Sequence, residues 1–157
     1  MSKTMIAIVI LGLSLFWLYR NMQSSKAADQ NLAKGTEFLE SNKQKEGIET
    51  TESGLQYEIV HQSNSGIKPT ADKQVKVHYH GTLIDGTVFD SSVERGTPID
   101  FGVTQVIQGW QEGLQLMDQG DKYRFYIPSD LGYGARGTGP IPPASVLIFD
   151  VELIEIL

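Results

Sequence analysis

From Met5 to Tyr19 the chain reads MIAIVILGLSLFWLY, fifteen residues without a charge and apolar on every face. A helix with no polar face does not pack on one side of a globular core, so an apolar N-terminal helix is predicted. Residues 21–31 (NMQSSKAADQN) are polar and small and read as a tether. Leu32, Gly35, Phe38 and Leu39 then recur at helical spacing, predicting a short amphipathic helix over Leu32–Lys45 that Gly47 ends. From Leu55 the period changes to two. Leu55, Tyr57 and Ile59 alternate with polar residues, as do Val75, Val77 and Tyr79, and Asp85-Gly86 between Leu83 and Val88 is a hairpin signal. Val106, Ile107, Trp110, Leu114 and Met117 form one helical stripe of about three turns, interrupted by Gly109 and Gly113. Alternation returns at Tyr123, Phe125 and Ile127, and again at Leu147, Phe149, Val151 and Leu153. About five antiparallel strands and one helix make an α+β domain, a twisted sheet wrapped over a short helix.

The ends of the apolar run decide what it does. Lys3 precedes it and Arg20 closes it, the arrangement of a signal peptide or a signal anchor over residues 1–20. Ser25-Lys26-Ala27 offers a small-residue cleavage site. Against cleavage, the run ends in Phe16-Trp17-Leu18-Tyr19, Arg20 separates it from that site and Lys26 lies within the site. Trp17 and Tyr19 suit a membrane interface. An uncleaved anchor is the favoured reading, with a periplasm-like export compartment beyond it; a cleaved signal and a soluble periplasmic protein are the alternative. Residues 21–52 then form a tether with its short helix, and 53–157 one domain.

Charge and composition remove further classes. Thirteen Lys and Arg face nineteen Asp and Glu. Residues 1–27 hold three bases and no acid, so the other 130 residues carry −9. Such a surface repels phosphate backbones and argues against nucleic acid as a partner. The absence of cysteine excludes disulfides, thiolate metal sites and cysteine catalysis. There is no phosphate-cradling loop, dinucleotide fingerprint, nucleophile elbow or HExxH pair. His78 and His80 flank Tyr79 and share the opposite strand face, but no third ligand accompanies them, so no metal is assigned. No cofactor is expected.

Three segments are richer in aromatics and glycines than a plain core requires: VHYHGTLIDGTVFDSS (75–92), VIQGWQEGLQLM (106–117) and GYGARGTGPIPPASVLIFDVEL (132–153). In this order they resemble the FK506-binding class of peptidyl-prolyl cis–trans isomerases over about residues 53–157. The lead-in FLESNKQKEGIETTESGLQYEIV (38–60) is similar to that of the bacterial macrophage-infectivity-potentiator branch. Any one of the apolar residues alone reads as core; the set, bracketing a Gly/Pro loop, does not.

The resemblance implies an antiparallel sheet half-wrapped around a short helix, with an apolar pocket between them. By position it implies that Tyr79, Phe89, Phe101, Val106, Ile107, Trp110, Ile141 and Phe149 bind substrate, with Trp110 as the floor. It assigns Asp90 and Tyr133 as the polar, catalytic pair. Ile99 stands where many members carry an aromatic. The implied activity is rotation about X–Pro bonds in proline-containing polypeptides during folding of exported proteins, and the implied inhibitors are FK506- and rapamycin-like macrolides. A membrane-tethered, non-catalytic polypeptide-binding chaperone is the rival from another class.

Overall fold

The period-two runs become strands whose side chains alternate between core and surface. In the computed structural model, which describes residues 3–157, the longest of them are β3 (Gln74–Thr82) and β7 (Leu147–Ile156). Along β3, Val75, Val77, Tyr79 and Gly81 are buried while the residues between them are not. The remaining strands are β1 (Ile48–Thr50), β2 (Gln56–His61), β4 (Val88–Ser91), β5 (Ile99–Gly102) and β6 (Lys122–Ile127). All pairings are antiparallel, in the order β1-β2-β6-β7-β3-β4, and β5 also pairs with β3. The expected α+β class is found, with two strands more than the alternation predicted. β1 and β5 are three and four residues long, too short to display a period.

A four-residue helix, α2 (Ser92–Arg95), follows β4, and α3 (Gln108–Leu116) lies across the concave face of the sheet. Gly109 and Gly113 do not interrupt α3. They are buried on the face it turns to β6, where a Cβ on Gly109 would stand 2.6 Å from Ile127 Cγ2, and one on Gly113 2.6 Å from the Phe125 ring. Two glycines one turn apart let the helix backbone approach the sheet more closely than any side chain permits. Trp110 and Leu114 fill the core beside them.

The N-terminal expectation needs a correction. A single helix, α1, runs from Lys3 to Asn42, so residues 21–31 are helical, not a loose tether, and the helix ends three residues before Lys45. The first two residues of the 1–20 segment lie outside the described residues. Residues 21–31 contain no glycine or proline, and Met, Gln, Lys and Ala are good helix formers, so nothing breaks the backbone ladder. Met5–Tyr19 project apolar side chains into the surroundings, and α1 is long and apolar enough to cross a membrane. The C-terminal end of α1 docks on the domain: Gly35 and Asn42 are buried, the Phe38 ring lies 6.1 Å from that of Tyr126, and Gln56 Nε2 donates to the Leu39 carbonyl.

Candidate active site

Tyr79 enters the site from the inner face of β3, Phe149 from β7 and Phe101 from β5, while α3 supplies Trp110. The Trp110 ring meets Tyr79, Phe101 and Phe149 edge-on at 5.3, 5.8 and 5.2 Å between centroids. Phe89 on β4 closes on Phe149 at 5.3 Å. Gly81 makes this last contact possible, because a Cβ there would lie 2.7 Å from the Phe89 ring and 2.8 Å from that of Phe149. Mutually perpendicular rings satisfy the quadrupole of each π-system and leave a stiff, water-poor wall.

These rings surround a cavity of about 800 Å³ with Trp110 on its floor. All ten residues put forward from the sequence line it: Tyr79, Phe89, Asp90, Phe101, Val106, Ile107, Trp110, Tyr133, Ile141 and Phe149. Tyr133 stands at the rim, 42% exposed. Ile99 completes the β5 side. The indole Nε1 of Trp110 is buried with no hydrogen-bond partner among the described residues.

The polar end of the cavity is a three-residue unit. Tyr79 Oη donates to Asp90 Oδ2 at 2.5 Å, the Arg95 guanidinium pairs with Asp90 Oδ1, and Arg95 Nη2 donates to Tyr79 Oη at 3.0 Å. Burial alone would raise the Asp90 carboxyl; the bonds from Tyr79 and Arg95 outweigh it and hold the group below the usual carboxylate range. Burial, then the bond to Asp90, pushes the Tyr79 phenol up. A phenol that keeps its proton remains a donor, so Asp90 stays an anion with one oxygen on each partner.

Arg95 escaped the sequence reading, although a signal was present. Ser91-Ser92-Val93-Glu94 matches the S-x-x-E pattern that starts helices, and Ser91 Oγ does accept from the Glu94 N–H at 3.1 Å. That start places Arg95 in the only turn of α2, from which it reaches back to Asp90. Gln105, Thr138 and Gly139 also line the cavity and carried no signal of their own. On the outer face of β3, His78 and His80 bond through Nδ1 to Ser92 and Ser91 at 2.9 Å each. No group of three or more metal-ligating side chains occurs among the described residues.

A sheet curled over one short helix, with an aromatic cavity between the helix, β4 and a Gly/Pro loop, is the FKBP-like architecture. Residues 65–154 match the family model of the FKBP-type peptidyl-prolyl cis-trans isomerases, and residues 15–59 match the domain amino terminal to it. The chain belongs to this family. It is 54% identical over 134 residues to the FKBP-type peptidyl-prolyl cis-trans isomerase FkpA of Aeromonas hydrophila, covering 85% of this chain and 50% of that protein. It is 49% identical over 138 residues to the outer membrane protein MIP of Legionella longbeachae, covering 87% of this chain and 59% of that protein. The crystal structure of FkpA from Escherichia coli superposes with a TM-score of 0.90 at 38% identity, over 99% of this chain and 73% of that one. The chain thus spans between half and three-fifths of the length of the two relatives matched by sequence.

Proposed function

We propose that this protein is a peptidyl-prolyl cis–trans isomerase (EC 5.2.1.8 type) that accelerates X–Pro bond rotation in proline-containing polypeptides. The observation that carries this reading is the Trp110-floored cavity, lined by six aromatic side chains and closed at one end by the Tyr79–Asp90–Arg95 unit.

The chemistry follows from the amide. Its rotation barrier of ~18–20 kcal/mol comes from C–N double-bond character, and water stabilises the planar, dipolar form. A twisted X–Pro amide has lost that resonance: its carbonyl oxygen is less negative and its nitrogen more basic. A cavity walled by Trp110, Phe101, Phe149 and Tyr79 withholds water from the planar form and accepts the less polar twisted one. The proline ring sits on Trp110, Asp90 and Tyr133 orient the flanking amide groups, and Val106 and Ile107 cover the approach along the start of α3. No covalent bond is broken. Macrolides of the FK506 and rapamycin type, which carry a preformed twisted amide-like group, fit the same walls and compete.

Residues 1–20 serve as the membrane anchor and 53–157 as the isomerase domain, facing a periplasm-like compartment where exported chains fold. The exposed apolar stretch of α1 and the similarity to an outer membrane protein of Legionella longbeachae support this placement.

The test is a proline-limited refolding assay and a short X–Pro peptide assay on the same preparation. Acceleration of both, abolished by rapamycin, is expected. Suppressed aggregation without acceleration of either would favour the non-catalytic, membrane-tethered chaperone and remove the isomerase reading.

A further inference from the structure

The loop between Gly137 and Val146 has two working faces. Thr138, Gly139, Pro140 and Ile141 line the cavity, while Pro142 to Val146 turn away from it toward α1. There Asn31 Nδ2 donates to the Pro143 carbonyl at 2.8 Å, a contact across 112 positions of sequence. One turn further along, Gly35 is buried against Val146, and a Cβ on Gly35 would lie 2.8 Å from Val146 Cγ2.

The loop is short of regular support of its own. Thr138 and Ile141 exchange one bridge of backbone hydrogen bonds, and the Ala144 N–H reaches the Gly134 carbonyl. Ala144 holds φ at +51°, the left-handed region disfavoured for a residue with a Cβ. A conformation of this kind persists only when the surroundings over-determine it. The surroundings on the side away from the cavity are α1 and residues 83–85, and it is α1 that bonds the loop directly, through Asn31.

We propose that Asn31, with Gly35 beside it, is a positioning residue for the cavity's Gly/Pro wall: the Asn31–Pro143 bond and the close approach at Gly35 hold the 137–146 loop so that Ile141 and its neighbours face the bound proline. This rests on the isomerase reading above. It makes α1 a structural part of the site that the aromatic residues alone do not complete. Asn31 touches no substrate; it acts through the loop.

The test uses the full chain in detergent micelles or nanodiscs, comparing wild type with Asn31→Ala, Asn31→Asp and Gly35→Val, and with Glu37→Gln as an exposed control on α1. Loss of one net hydrogen bond corresponds to roughly 2- to 10-fold in an equilibrium. Asn31→Ala and the donor-less Asn31→Asp are expected to lower kcat/KM by that order, unequally for peptides differing in the residue before proline. The backbone amide resonances of Ile141 and Ala144 should shift, while those of Gly113 and Phe125 stay in place and the thermal midpoint matches the Glu37→Gln control. A purely structural role would lower the midpoint and scale all peptides alike, and overturns the proposal. So do unmoved loop amides, or moved amides with wild-type rates on every peptide. If Gly35→Val does not fold, the two Asn31 variants decide. If the wild type accelerates no proline step, the isomerase reading is what fails, and the loop amides alone then decide whether Asn31 positions the wall.

Discussion

Asp90 sits 43% exposed at the side chain yet carries two charge-assisted or phenolic hydrogen bonds, so its role is set by partners rather than by burial. Asp90→Ala should lower the isomerisation rate by about ten- to thirty-fold, equivalent to ~1.4–2 kcal/mol of transition-state stabilisation, with the fold retained. Arg95→Ala removes one partner from the same carboxylate and one from the Tyr79 hydroxyl, leaving the bond between the two. The two substitutions should therefore be non-additive, and the double variant should resemble the worse single one in kcat/KM. The pH dependence has a definite sign. A carboxyl held below its ordinary range contributes above its unfolded value, about 3.9, and its contribution is lost only as pH falls through the still lower folded value. The phenol of Tyr79, pushed up, keeps its proton past neutrality. The rate on a short peptide should thus be flat from about pH 5 to 8. An inflection inside that window would overturn the assignment of Asp90 and Tyr79 as the only titrating pair that the rate reads.

Helix α3 shows how a sequence reading and a structure part company. Its apolar stripe was legible because Trp110 and Leu114 share one face, but Gly109 and Gly113 read as interruptions, since the propensity scale prices glycine without knowing its neighbour. Their neighbours are Ile127 and Phe125, and the structure makes the two glycines the contact surface. Ala at either position would gain up to ~1 kcal/mol of helix propensity in isolation. The clash at 2.6 Å should reverse that sign, giving a net loss of ~1–3 kcal/mol from overpacking in urea unfolding. Strands β3, β6 and β7 were legible for the same physical reason as the stripe: one face is buried, so hydrophobicity records the period. The exposed middle of α1 has no buried face and left no such record. The cavity's rings could be named from sequence because aromatics in excess of a core are conspicuous. Arg95 and the back of the 137–146 loop could not, because their value lies in contacts made across the fold.

At the scale of the whole molecule, α1 joins two surroundings. At 1.5 Å per residue its 40 residues extend about 60 Å, of which Met5–Tyr19 account for about 22 Å. That is short of a ~30 Å hydrocarbon core, and in the anchor proposed above the long side chain of Arg20 reaches to the membrane surface. Docking on the domain begins near Asn31 and is completed by Gly35, Phe38 and Asn42, leaving about three turns between the apolar stretch and the domain. A truncation series follows from this geometry. Residues 21–157 should leave the membrane fraction and keep the wild-type rate on a short peptide, because every docking contact is retained. Residues 53–157 should differ in kind. They lose β1, and they lose the Leu39 carbonyl and Asn42 side chain that satisfy the Gln56 amide, which is only 3% exposed. Leaving such a group unpaired costs ~1–3 kcal/mol, so this fragment should unfold at lower urea and turn over more slowly. The full chain should resist carbonate extraction from membranes and retain its apolar segment by intact mass. A soluble mature form beginning at Ala28 would show that the signal is cleaved and defeat the anchor, while leaving Asn31, Gly35 and the whole cavity in place. Equal stability and rate for the 53–157 fragment would show that α1 serves location alone.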